Sequence, residues 1–390
     1  MHCRAATAAL FHLIHPSGRT SKRFIPPDTP GPTETAEPSH TAYTWHTLAT
    51  ILPFRHSTMT DQLSLFGAEE TPPPKNAARE PAPAVLDAET RALGASMPAG
   101  LHLGTSSWAF PGWAGLVYAE SLPESLLSKR GLLAYAQHPL FRTVGIDRSF
   151  YAPLAEAQYA AYAAQVPAPF RFITKATNTC TDAHIRGAGG RIAGDNPRFL
   201  DAAHVIEQFI APCSAGLGDK AGPLVFQFSP MGKAAAAQPD RFADRLHAFL
   251  ARLPRGPLYA VELRDPSLLT PQLAAALNDN SARYCIGINP RMPGVAEQLT
   301  ALQGLAPGAL VARWNLHAGY AYEEAKAHYR PFNRLVDEDP QSREGLAEAC
   351  VNAVIAGQAA FVTANNKAEG SSPLSMAKLA KRILEKLGRT

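Results

Sequence analysis

The sequence predicts an α/β protein, a closed parallel (β/α) barrel over residues 99–390 preceded by a disordered extension over residues 1–98. Three observations carry this reading. From Leu101 onward, short apolar runs ending in polar residues alternate with longer Ala- and Leu-rich stretches of helical periodicity. Such runs occur eight times, the number that closes a TIM-type barrel. Before them, the chain is rich in Pro, Thr, Ala and His and lacks sustained periodicity, so it buries too little apolar surface to fold.

Strands are expected at Leu101–Thr105, Arg142–Asp147, Phe170–Lys175, Pro223–Phe228, Leu258–Arg264, Tyr284–Ile288, Leu310–Asn315 and Ala360–Ala364. Helices are expected at Leu126–Gln137, Ala155–Gln165, Arg198–Ile210, Arg241–Ala251, Pro271–Asn278, Arg343–Ala356 and Leu374–Lys386. An open doubly wound sheet usually carries a Gly-rich phosphate loop after its first strand, and Gly104-Thr105-Ser106-Ser107-Trp108 is not such a loop.

Composition narrows the function classes. Hydrophobic residues make up 46% and charged residues 18% of the 390 residues, which suits a globular chain with a sizeable core. Net charge is only +4, with 37 Lys and Arg against 33 Asp and Glu, so no strong basic field marks a nucleic-acid coat protein. The cysteines Cys3, Cys180, Cys213, Cys285 and Cys350 are widely spaced and form no CxxC pair, which fits a reducing cytoplasm. No apolar run approaches the roughly 20 residues that cross a bilayer, and Met1–Ile14 is not followed by a convincing cleavage site. Met59 is a second possible initiator, which would leave the first 58 residues untranslated.

In a barrel, function sits at the C-terminal rim of the strands. The polar residues ending the runs are Thr105, Ser106, Asp147, Arg148, Lys175, Gln227, Glu262, Arg264, Asn289, Arg313, Asn315, His317, Asn365, Asn366 and Lys367. Cations converging with amides make a pocket for phosphate or carboxylate, because Arg forks match those oxygens and Asn adds neutral donors. Lys175, Arg264 and Arg313 are therefore expected to clamp the anion, with Gln227, Asn315, Asn365 and Asn366 as further ligand contacts. His317 is expected to act as acid or base, and Glu262 or Asp147 as base or orienting carboxylate. Glu262 and Arg264 lie two apart on one strand and share a face, so salt bridges inside the barrel with Lys175 or Arg313 fit them equally well. Trp108 and Tyr151, in aromatic clusters after the first and second strands, suit either packing or stacking on a base or sugar. Asp147, Glu262, His184 and His317 lack any local ligand spacing, so no metal is expected, and the sequence names no cofactor.

The chain resembles the YecE-like family (domain of unknown function 72) from about Leu101 to the C-terminus. The resemblance rests on Gly104-Thr105-Ser106-Ser107-Trp108 with Trp113 and Tyr118, Ser149-Phe150-Tyr151, Phe170-Arg171-Phe172 ending at Lys175, and Leu224–Phe228. Ala260-Val261-Glu262-Leu263-Arg264, Arg313 with His317, and Asn365-Asn366 follow in the family's order. It implies a TIM-type barrel with a polar site at the strand ends and no established activity. Two departures point to a divergent subgroup. Gly145 and Asp147 stand where the family usually has Glu and Asn, so a carboxylate has moved or a role has been lost, and the compact Arg-x-His-Gly is stretched into Arg313–Gly319.

Within the extension, Gln62-Leu63-Ser64-Leu65-Phe66 resembles the pentapeptide by which bacterial replication and repair proteins dock on the sliding clamp. An extended peptide presents Leu65 and Phe66 to an apolar pocket while Gln62 hydrogen-bonds at a second. Together these signals predict an enzyme of nucleic-acid metabolism, of hydrolase type and acting on phosphoesters, with the clamp as partner. The alternatives are an enzyme acting on a small phosphorylated or carboxylated metabolite and a non-catalytic binding adaptor.

Overall fold

The computed structural model describes residues 80–186 and 191–389. Eight parallel strands close the expected barrel. They are β1 (Leu101–Thr105), β2 (Phe141–Ile146), β3 (Arg171–Lys175), β6 (Ala221–Gln227), β7 (Tyr259–Glu262), β8 (Arg283–Ile288), β9 (Leu310–Trp314) and β10 (Ala360–Ala364), and β10 pairs with β1 to close the circle. A two-stranded antiparallel sheet of β4 (His184–Arg186) and β5 (Ile192–Asp195) is inserted after β3, outside the barrel.

Strand periodicity assigns the faces. Side chains two apart share a face, so each strand contributes alternate residues to the barrel interior. Ile173, Val225, Ala260, Cys285, Val311 and Phe361 form one compact apolar cluster inside the barrel, with His102 stacked on Phe361 at 4.6 Å. Two residues further along the same strands come Lys175, Gln227, Glu262, Gly287, Arg313 and Thr363. The interior thus changes from apolar to charged within one layer, toward the C-terminal ends. The intervening residues, among them Phe172, Leu224, Phe226, Val261, Ile286, Ala312, Trp314 and Val362, belong to the larger core between barrel and helices.

The outer helices follow their local sequence. Pro271–Asp279 is capped by Thr270 Oγ1, which accepts from Leu273 N at 3.2 Å, and carries Pro at its start. Pro340–Ile355 begins at Asp339, whose carboxylate accepts from Ser342 N at 2.9 Å, and Ser372–Lys386 packs beside it and β1. The region expected as one helix over Arg198–Ile210 is longer, running as Ala202–Val205, a π turn at Ile206–Ile210 and Ala211–Leu217.

The structure moves the expected domain boundary. The sequence pattern puts residues 80–98 in the extension, but Ala88–Ser96 is a helix capped by Asp87, and Glu89 pairs with Lys381 on the C-terminal helix at 2.9 Å. Ala84 N donates to Val117 O at 3.0 Å, and Arg142 Nη1 donates to Pro98 O at 2.6 Å. The segment is short and lacks a long apolar stripe, so its order comes from docking on the barrel rather than from its own propensity. The first 79 residues, including Met59 and Gln62–Phe66, lie outside the described residues.

Cys180, Cys213, Cys285 and Cys350 are all buried and free. Among the described residues no helix is long and apolar enough to cross a membrane.

Gly104 marks the tightest strand contact. β1 shifts register against β2 between Leu103 and Gly104, and a Cβ at Gly104 would fall 1.8 Å from Thr143 O. Gly104→Ala forces the two backbones apart and is expected to cost about 3 kcal/mol of unfolding free energy by urea denaturation; unchanged stability would show that the closure can shift freely.

Candidate functional site at the barrel mouth

The charged interior layer organises the C-terminal end of the barrel. Glu262, fully buried at the end of β7, receives Arg313 Nη1 at 2.8 Å on Oε2. Its Oε1 pairs with Arg264 Nη2 and accepts from Asn315 Nδ2 at 3.2 Å. Arg313 reaches across with Nη2 to both carboxylate oxygens of Asp147, at 2.8 and 2.6 Å. Gln227 Oε1 accepts from Arg264 Nη2 at 3.2 Å. The neighbour on β8 is Gly287, where a Cβ would stand 3.2 Å from Glu262 Cγ, so the missing side chain leaves room for the carboxylate.

Electrostatics follow from this geometry. Burial disfavours a charged Glu262, but Arg264 and Arg313 outweigh it and hold the carboxyl below its usual range. Burial also works against the Arg313 cation, and Asp147 and Glu262 more than offset it, so Arg313 stays protonated. Lys175, 8% exposed, has its ammonium 3.4 Å from the Phe150 ring centroid. Burial brings its pKa down to about 8 despite Asp147 and Glu262. Two carboxylates balance two guanidiniums in this network, and Lys175 is left over.

Beside the network opens a cleft of about 680 Å³, lined by Ser106, Asp147, Asn365 and Lys367 from the strand ends. Arg148 and Tyr151 line it from the turn after β2, and Tyr322, Lys326, Arg330 and Phe332 from the helix Tyr322–Tyr329 and the turn that follows. Tyr151 is 76% exposed. Lys367 is only 6% exposed and rests over the Tyr322 ring, with Nζ 4.2 Å from the centroid. Burial, and then the Lys326 charge, bring its pKa down to about 8. Lys326 pairs with Glu323 at 3.2 Å, and Arg148 donates to Tyr162 Oη at 3.0 Å.

The residues expected at the site divide into groups. Lys175, Gln227, Glu262, Arg264, Arg313, Asn315 and Asp147 do converge, but mostly on one another. Both oxygens of Glu262 and both terminal nitrogens of Arg313 are already engaged. Asn365 lines the cleft and donates to Ser106 Oγ at 2.9 Å. Three residues stand elsewhere. Trp108 is core, its indole N–H donating to Leu127 O at 3.1 Å and its ring edge-on to Tyr162. Asn366 is buried, its Oδ1 accepting from Trp113 Nε1 at 3.2 Å and from Ser372 N and Oγ at 2.9 and 2.8 Å. His317 turns its Nδ1 back to Gly319 N at 3.1 Å and faces Tyr320, outside the cleft lining. Gly145 has no room for a carboxylate, since a Cβ would lie 2.8 Å from Ser106 O, and Asp147 supplies the acid to Arg313 instead.

Tyr322, Lys326 and Arg330 were missed because no helix was expected between β9 and Pro340. The signal was present: Glu324 stands three residues into the helix, where its Oε2 accepts from Ala321 N at 3.3 Å, and Ala325 and Tyr329 bury one face four residues apart. Among the described residues no three His, Cys, Asp or Glu side chains gather to hold a metal.

Glu262→Gln keeps the shape and removes the charge on which two guanidiniums depend. It is expected to lower unfolding free energy by roughly 3–5 kcal/mol in chemical denaturation; wild-type stability in the variant would mean that the arginines find other partners.

A family model described as "Protein of unknown function DUF72" matches residues 102–389. Among solved structures, a DUF72 family protein from Enterococcus faecalis V583 is similar at 18% identity and a TM-score of 0.47, over 74% of this chain and 95% of that one. A DUF72 family protein from Thermotoga maritima MSB8 is similar at 17% identity and a TM-score of 0.46, over 73% and 99%. A comparison with curated proteins finds no match. Because the family model spans nearly the whole barrel, the chain belongs to the DUF72 family.

Proposed function

We propose that the cleft at the barrel mouth binds an anionic ligand, phosphorylated or carboxylated, and that the protein is an enzyme acting on it. The observation that carries this reading is Lys367, a nearly buried ammonium that faces the cleft with no carboxylate bonded to it among the described residues. A buried cation without a counter-ion is costly, and a ligand oxyanion offsets that cost. Arg148, Lys326 and Arg330 line the same cleft with Glu124 and Asp147; Asp147 is bonded to Arg313 and Lys326 is paired with Glu323. Exposed Tyr151 and Tyr322 offer flat faces to an attached ring or sugar.

This assigns the anion to different residues from those expected. Arg264 and Arg313 hold the wall of the site rather than the ligand, and Glu262 is fully engaged, so hydrolysis led by His317 and Glu262 has little support from their positions. The clamp-like peptide Gln62–Phe66 supports a phosphodiester in DNA as one form of the anion. Titration calorimetry with inorganic pyrophosphate, a deoxynucleoside monophosphate and a single-stranded oligonucleotide is expected to give saturable, salt-sensitive binding, weakened about tenfold or more by Lys367→Met. Absence of binding to all three, or binding indifferent to Lys367→Met, would overturn the reading.

The leftover charge has its own signature. Lys175 titrates near pH 8 in the folded chain and near its ordinary value of 10.5 when unfolded, so the unfolded state binds protons more tightly between these limits. Stability therefore rises as pH increases through that window. Lys175→Met is expected to be more stable than wild type by up to roughly 3 kcal/mol at pH 7, the gap closing toward pH 10; thermal unfolding of both proteins across pH 6.5 to about 10 measures it, and a pH-independent gap would refute it.

A further inference from the structure

We propose that Lys367 is a nucleophilic amine that forms an imine with an aldehyde or ketone carried by the anionic ligand of the cleft. This rests on the ligand class proposed above and adds the reacting group. A side-chain amine serves this chemistry when it is desolvated, held in place and reachable from a cavity. Lys367 meets all three conditions: it is 6% exposed, its side chain lies along the Tyr322 ring, and it lines the 680 Å³ cleft. No hydrogen bond or ion pair to another described residue occupies its nitrogen, so the lone pair is available once the proton leaves.

Its backbone is fixed on both sides. Lys367 N donates to Asn365 Oδ1 at 3.0 Å, and Lys367 O accepts from His317 N at 2.9 Å. The preceding Asn366 is anchored through Trp113 and Ser372, and the following Glu369 accepts from Asp339 N at 2.7 Å and pairs with Arg343. Gly370, at φ +112°, closes the turn where a Cβ would lie 2.6 Å from Arg334 O. The buried Asn366 and Glu369 thus act as posts between which one lysine is presented.

The surrounding charges suit the same role. Burial and the Lys326 cation favour the neutral amine, while Glu323 and Asp147 act the other way, and the balance leaves Lys367 titrating near pH 8. Lys326, Arg330 and Arg148 line the same cleft and remain to hold the ligand's anion once the Lys367 ammonium, which helps to draw the anion in, gives up its proton. In the step, the amine lone pair adds to the carbonyl carbon and the C–N bond forms. The two amine protons pass to the oxygen, which departs as water, leaving a C=N bond and requiring no oxidant. Lys175 titrates in the same range but does not line the cleft.

The test uses the full chain with pyridoxal 5′-phosphate as the anionic aldehyde, borohydride reduction to trap the imine, and mass mapping of the modified peptide. Calorimetry with pyridoxine 5′-phosphate, which keeps the ring and phosphate but has an alcohol for the aldehyde, measures anion binding separately. One adduct per chain is expected at Lys367, favoured about tenfold over any other lysine and over reaction with uncharged pyridoxal. It should increase as pH rises through about 8 and be absent from Lys367→Arg protein that unfolds at the wild-type temperature. Adducts spread over other lysines, or unchanged in Lys367→Arg, while pyridoxine 5′-phosphate still binds, would overturn the imine and leave the ligand class standing. No adduct at Lys367 and no binding of pyridoxine 5′-phosphate would overturn both. An adduct at Lys367 formed equally well by uncharged pyridoxal would overturn the proposal as an anion-directed reaction.

Discussion

The mouth of this barrel depends on one buried interaction, the bridge that Arg313 makes between Glu262 and Asp147. It joins β9 to β7 and to the turn after β2, so one guanidinium spans the barrel bore. The cost of desolvating Glu262 and Arg313 is met by geometry: two carboxylates bonded to the guanidinium, with Asp147 partly exposed at the cleft, and an amide from Asn315 filling a remaining position on Glu262. With those groups committed to one another, the chemistry open to solvent passes to the loops above. Arg148, Lys326, Arg330 and Lys367 stand there, with Lys326 paired to Glu323.

The same arrangement explains why a strand-by-strand reading finds the right layer and misjudges its purpose. Period-two alternation places Lys175, Gln227, Glu262 and Arg313 on the inner face at one height, and that much is written in the sequence. Whether such charges pair with each other or wait for a ligand depends on distances across the barrel, which no single strand encodes. Glu262 and Arg264 were compatible with both, and the crossing of Arg313 decides it. Likewise Asn365 and Asn366 are neighbours with indistinguishable local signals, yet one opens on the cleft and the other is buried against Trp113.

The strands were legible because apolar runs buried on both faces are hard to mistake, and the first and last, Leu101–Thr105 and Ala360–Ala364, have the expected limits. Short helices were not. Ala88–Ser96 owes its order to contacts with the C-terminal helix, and Tyr322–Tyr329 has too narrow an apolar face to stand out from its polar surroundings. The second omission mattered more, since that helix carries one wall of the cleft. Trp108 resolves toward packing, the first of its two readings, as an aromatic beside a strand end that satisfies its indole within the core.

The four buried thiols have a practical consequence. Burial raises Cys180, Cys213 and Cys350 to about 12, and burial within the barrel interior likewise pushes Cys285 well above the usual thiol range. In the folded protein they are therefore poor nucleophiles as well as inaccessible ones. They sit in separate places: beside β3, on an outer helix, on β8 inside the bore, and on the helix before β10. Alkylation at each one requires its own region to open, so the chain carries four native reporters of local breathing, one of them directly beneath Glu262 and Arg313.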